Sequence, residues 1–289
     1  VYGADQLRQR VAWALSQIWV TSAAQDDIAY ANRDYQQLLI DQAFGNFYDV
    51  MFRVSVNSFM GNYLDMVNNA KANPTTGQQP NENYARDILQ LFAVGLYELK
   101  ADGTLLLDAG GNPIPTYDQD DIVELSKVFT GWTYWPLAGQ SARWNAPINY
   151  AFNMMPIESP TNYHDTGTKN ILGYVMPGGR SADTDLREAL GVIFNNPSVG
   201  PFISKQLIQH LVSSNPTPAY VARITAVFNN NGAGVRGDLK AVVRAIILDP
   251  EARAPRNPVV GTFGKLKEPV TYLTGLVRRD GIEPRWPNR

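Results

Sequence analysis

Two stretches of the chain gather side chains that could do chemistry. In QQPNENYARDILQLFAVG, residues 78 to 95, five polar residues fall within two helical turns: Asn81, Glu82, Asn83, Arg86 and Asp87. Glu82 or Asp87 could serve as a general acid or base, Arg86 could steady developing negative charge, and Asn81 and Asn83 could hold a substrate. The same residues also suit an ordinary helix start. Asn81 is a good N-cap, Glu82 meets the positive end of the helix dipole, and Arg86 stands four residues on, at ion-pair spacing. That second account leaves Asn83 and Asp87 unused. In NYHDTGTKNILG, residues 162 to 173, His164 and Asp165 are adjacent and Lys169 follows Gly167. His164 could be a base or a ligand, Asp165 its partner and Lys169 a charge stabiliser. The structural alternative is that His164 pins a loop through backbone hydrogen bonds while Asp165, Thr166 and Gly167 make a turn.

The chain has two histidines and no cysteine, so a two-histidine metal site must use both, and thiolate chemistry is excluded. His210 follows the apolar positions Phe202, Ile203 and Leu207, as a residue on a half-buried helix face would. With His164 and Glu82 or Asp87 it would complete a two-histidine carboxylate set. Asp108, Asn112, Asp118, Asp120 and Asp121 suggest calcium, but the twelfth position counted from Asp108 is Gln119 where an EF-hand needs Glu. Turn and cap roles are the alternative there. No nucleophile elbow, P-loop, dinucleotide fingerprint or zincin motif is present, and no cofactor is expected. Trp132, Tyr134, Trp135, Trp144, Tyr150, Phe152 and Tyr163 would suit a sugar-stacking or peptide-binding surface, or equally a segment folding around its own small core.

The elements that must position these groups are mostly helices. Leu7, Val11, Leu15, Ile18 and Trp19 keep the period of a buried helix face, and two helices broken near Gly45 follow. The polar cluster opens a helix over about 82 to 94, with Tyr84, Ile88, Leu91 and Phe92 as its stripe and Gly95 as its stop. Residues 101 to 116 have the turns of a β-hairpin insert. Thr116 and Gln119 suggest a capping box for the next helix, whose face runs from Ile122 to Trp132. Residues 133 to 182 show no sustained period, and a run of that length inside a compact domain is more often functional than idle. Helices are expected again over 184 to 195, 198 to 213, 217 to 229 and 238 to 249, with a last one in KEPVTYLTGLVRR. The expectation is a mainly all-α single domain over 1 to 289, cut from a longer chain, with one hairpin insert and one long irregular segment.

Of the 289 residues 44% are apolar, enough for a packed core, and no run is long enough for a membrane helix. A formal charge of −2 without a dense basic cluster argues against nucleic acid as a partner.

Three blocks in order, PNENYARDILQLFAVG, DIVELSKVFTGWTYW and HDTGTKNILG, followed by NPSVGPFISKQLIQHLVS and GDLKAVVRAIILDPEAR, resemble the bacterial family known as domain of unknown function 1800. The resemblance covers nearly the whole chain. It marks Asn81, Glu82, Asn83, Arg86, Gly131, Trp132, His164, Asp165, Gly167, Lys169 and Lys205 as matching the family pattern. Asp87 stands where Glu is usual, which makes Glu82 the stronger catalytic candidate; Gln90 replaces another common Glu, and only some members carry the insert. Members are often exported, so the resemblance implies a periplasmic or extracellular location.

Three functions follow as expectations. One is a hydrolase of a polysaccharide or cell-envelope polymer, with Glu82, Asp87, His164 and Asp165 catalytic and Asn81, Asn83, Arg86, Lys169 and Trp132 binding substrate. Another is a non-catalytic envelope or assembly protein in which the polar motif is a structural network, its partner a polymeric carbohydrate or another envelope protein. The last is a metal-dependent enzyme using His164 and His210.

Overall fold

The computed structural model describes residues 5–22, 28–157, 163–254 and 264–281. Among these the fold is mainly helical. The apolar period of the first segment forms α1 (Gln6–Ile18), which packs on α2 (Ala29–Gln42). Asn46 caps α3 (Phe47–Ser55) and Asn57 caps α4 (Ser58–Tyr63), each side-chain oxygen accepting from backbone N–H groups of the first turn.

The polar cluster does open a helix, but not one continuous α-helix. α5 (Asn83–Asp87) gives way to a π-helical turn, Ile88–Ala93, which ends where Gly95, at φ 84°, donates to the Leu89 carbonyl. A π turn takes more residues per revolution than an α turn. Leu89 is therefore buried, while Leu91, expected on the core stripe, is exposed.

The insert expected near 101–116 folds as three extended stretches that pair with one another in turn, through the bridges Tyr97 with Pro115, Leu99 with Leu105 and Leu107 with Pro113. α6 (Gln119–Val128) is capped two residues later than the sequence suggests. Asp118 and Asp121 form the reciprocal box, and Thr116 instead donates its hydroxyl to the Gly95 carbonyl.

The irregular segment contributes two antiparallel ribbons, β1 (Trp132–Thr133) with β2 (Met155–Pro156) and β3 (Lys169–Ile171) with β4 (Tyr174–Met176). Then come α7 (Ala182–Asn195), α8 (Val199–Leu211), α9 (Pro218–Asn229), α10 (Leu239–Leu248), α11 (Pro250–Arg253) and α12 (Pro269–Arg279). α8 is central, touching α1, α7, α9, α10 and the π turn.

Early and late segments of the chain, 45–47 and 236–239, are joined around Asn46. Its amide donates to the Arg236 carbonyl at 2.7 Å, Phe47 N–H to Gly237 O at 2.8 Å and Leu239 N–H to Gly45 O at 3.0 Å. Gly237, at φ 75°, lets Phe194 approach to 2.8 Å of the place a Cβ would occupy.

Candidate functional site

The His164 block is buried. His164, Lys169 and Asp185 side chains are each 1% exposed, and two side-chain nitrogens converge on one carboxylate oxygen: His164 Nε2 lies 3.1 Å and Lys169 Nζ 2.6 Å from Asp185 Oδ2. The Lys169 ammonium also donates to the carbonyls of Asp165 at 2.6 Å and Gly167 at 3.1 Å. The other imidazole nitrogen, Nδ1, sits 3.0 Å from the Thr130 carbonyl. Burial pushes the Asp185 carboxyl up, but hydrogen bonds from His164 and Lys169 and the charge of Lys169 outweigh it, and its pKa lies below the ordinary value. Its Oδ1 is buried and makes no hydrogen bond; Arg180 Nε, at 3.6 Å, is the nearest ion-pair partner.

Asp165 is less enclosed, but its side chain accepts from Gly167 N–H at 2.8 Å and closes the turn that presents Lys169. Thr130 completes the lock: its hydroxyl donates to Lys127 O and accepts the Asp165 N–H at 2.8 Å. Gly131 lies under His164. A Cβ on it would come within 2.8 Å of the His164 backbone nitrogen, and φ is 86°.

The Glu82 block opens outward. Glu82 Oε2 receives the Arg86 guanidinium at 2.9 Å and the Gln119 amide at 2.9 Å, with the Glu82 side chain 35% and the Arg86 side chain 43% exposed. Asn83 donates to Asp65 at 2.6 Å, and Asn81, expected as the N-cap, lies one residue ahead of the N-cap Glu82 and closes a turn by accepting from Asn83 N–H at 2.8 Å. Asp87 is half-buried at the junction with the π turn; burial raises its carboxyl pKa against the lowering effect of Arg86.

The segment 129–133 separates the two blocks. Asn69 ties the Glu82 side to it: its carboxamide accepts from Asn81 N–H at 2.8 Å and donates to Phe129 O at 3.4 Å, and its carbonyl accepts from Gly131 N–H at 2.8 Å. Thr130 and Gly131 hold His164 as described. All three sequence blocks thus meet on one turn, through Asn69 on the Glu82 side and through Thr130 and Gly131 on the His164 side.

Trp132, named above among the substrate-binding residues, is 2% exposed in the core, with its indole N–H buried and making no hydrogen bond. Lys169 is likewise enclosed. His210 stands instead at the end of α8, where Lys265 donates to its carbonyl at 2.9 Å. Among the described residues no group of three or more His, Asp or Glu could hold a metal ion, so the two-histidine set is not assembled. Asp108 accepts from Gly110 and Asn112 N–H groups, a turn role. Of the seven aromatics, Tyr134 and Tyr150 join Trp132 inside, Trp144 stacks on Tyr163 at 4.0 Å, and Trp135 and Phe152 are exposed.

Sequence reasoning missed Asp185, Thr130 and Asn69. Asp185 lies in SADTDLREAL, where an acidic first turn of a helix accounts for it without a partner. Asn69 carries no signal of its own.

A family model described as "Protein of unknown function (DUF1800)" matches residues 1–288. No curated protein and no solved structure matches the chain.

Proposed function

The chain belongs to the DUF1800 family of proteins of unknown function, and within it we propose a non-catalytic envelope or assembly protein, exported, with residues 1–289 acting as one helical domain. One observation carries this: His164, Lys169 and Asp185 are each 1% exposed and bonded to one another. A histidine so enclosed reaches no substrate. Removing one member of a buried ion network strands the rest, at about 3–5 kcal/mol, whereas removing a catalytic group often leaves stability unchanged or raises it. We expect His164→Ala and Lys169→Met to lower the melting temperature by roughly 5–8 °C. Unchanged or raised melting temperatures would sink the reading.

A second reading keeps the hydrolase and confines it to the Glu82 block. It is favoured by the Asp87 carboxyl, held half-buried with a raised pKa beside a π turn, an element frequent at functional sites. Here Glu82 is the general acid, Asp87 the second carboxylate and Arg86 the charge stabiliser, on a polysaccharide or envelope polymer. Release of reducing ends from purified peptidoglycan, lost in both Glu82→Gln and Asp87→Asn, would support it; no release by the native chain would end it.

A further inference from the structure

Away from both blocks, a cleft of about 400 Å³ opens between α2, the α3–α4 junction and the loop 150–153. Its lining combines two carboxylates, Asp34 and Asp41, four carboxamides, among them Gln37 and Asn57, and two aromatic rings, Tyr150 and Phe152. Tyr150 is the rigid part of the floor, buried and with its ring centroid 5.8 Å from those of both Phe59 and Tyr134. Phe152 is different: 56% exposed, with its ring centroid 6.0 Å from that of Trp135, which is 45% exposed. Phe152 lines the cleft and Trp135 lies next to it outside the lining, so the two rings form an apolar shelf at the edge of the polar walls.

That shelf is held out rather than left loose. On one side Asn149 fixes the loop by donating to Trp135 O at 3.0 Å and accepting from Ala151 N–H at 3.2 Å. On the other, Met154 N–H donates to Val56 O at 2.8 Å. Leaving a phenyl ring in water forgoes about 2 kcal/mol of burial, and a pinned backbone keeps it there. The polar walls are also fixed. Gln37 donates to Asp41 Oδ1 at 2.8 Å, leaving Oδ2 as an acceptor, and Asn57 commits its oxygen to capping α4, which leaves its amide N–H groups to donate.

The chemistry selects a ligand class. Asp34 is ion-paired with Arg33 at 2.8 Å and Asp41 faces a lining that holds Arg53, so the cleft carries no cationic excess to draw phosphate or other polyanions. Its walls are helices and a loop with no strand edge to pair with an extended peptide, and they are too polar for an amphipathic helix. Carboxylate and carboxamide groups suit neighbouring hydroxyls that both donate and accept, and an aromatic face suits the C–H face of a pyranose ring. We propose that this cleft binds a neutral oligosaccharide, with Phe152 and Trp135 as the stacking shelf and Asp34, Gln37, Asp41 and Asn57 as hydroxyl partners. This rests on the reading of the chain as an envelope protein that binds rather than cleaves.

The test titrates the whole chain with four soluble hexamers, of β-1,4-glucose, β-1,4-N-acetylglucosamine, α-1,4-glucose and β-1,4-mannose, following backbone amide shifts. At least one should saturate below about 10 mM, with shifts centred on residues 34–57 and 150–153. Phe152→Ala and Asp41→Ala should each weaken it by at least about tenfold, Phe152→Tyr should restore it, and melting temperatures should hold because both side chains are exposed. The proposal is overturned by no saturable binding to any hexamer, by shifts centred elsewhere, by affinity indifferent to Phe152→Ala, or by a mixed peptide library binding where the hexamers do not. If Phe152→Ala lowers the melting temperature, Trp135→Ala takes its place under the same criterion. Failure here leaves the melting behaviour of His164→Ala untouched, so the two readings fall separately.

Discussion

At the scale of single residues, the most constrained position is a glycine rather than a charged group. Gly131 sits at φ 86°, and a methyl there would meet the His164 main chain at 2.8 Å, where no flexible side chain can yield. Gly131→Ala should therefore cost about 2–4 kcal/mol through left-handed strain and overpacking. The loss should be read as a melting temperature lowered by roughly 3–7 °C, with no change in charge or polarity to confuse it. A variant melting like the wild type would show that His164 is not clamped by this turn. The polar residues were legible in the sequence by type and spacing; their partners were not. HDTGTK announces a base, an acid and a cation, but the carboxylate that both His164 and Lys169 bind is Asp185, which is 21 residues beyond His164. Such pairing is set by tertiary packing, which one sequence does not print.

At the scale of elements, apolar period located the helices to within a few residues and failed where the geometry left the α period. Ile88–Ala93 winds as a π turn, and nothing in ILQLFA distinguishes it from good α-helix. The cap of α6 was legible in kind and misplaced by two residues, because Thr116 and Gln119 offer the same chemistry as Asp118 and Asp121. The two true cap residues are not equivalent. Asp118 serves α6 alone, whereas Asp121 also accepts the Leu172 N–H at 2.7 Å, at the turn between β3 and β4 where Leu172 takes φ 51°. We expect Asp118→Ala to cost about 1 kcal/mol and Asp121→Ala roughly twice that, since it frees a second backbone donor. Equal losses in urea unfolding would mean that the β3–β4 turn does not depend on α6.

At the scale of the whole molecule, several carboxyls bind protons less readily in the fold than in the unfolded chain. Hydrogen bonds from the Arg223 fork, at 2.7 and 2.8 Å, lower Asp249, hydrogen bonding to Arg180 lowers Glu188, and the His164–Lys169 pair keeps Asp185 low despite burial. Each adds stability above the ordinary carboxylate range and loses it as pH falls through its lower folded value. Asp87 works the other way, because burial favours its protonated form. The lowered groups outnumber it, so the melting temperature should fall steadily below about pH 4, and Asp249→Asn should flatten part of that fall. A melting temperature independent of pH from 6 to 3 would contradict this balance.

The junction at Asn46 has a consequence in time. Its amide bonds a carbonyl 190 residues further along the chain. On a ribosome adding about 5–20 residues per second, the N-terminal helices must wait roughly 10 to 40 seconds for that partner to be made. Through that interval the face of Phe47 that will meet Phe228 stands open. Early helices with so late a partner have reason to be only marginally stable alone, and to be shielded by whatever else binds a nascent chain.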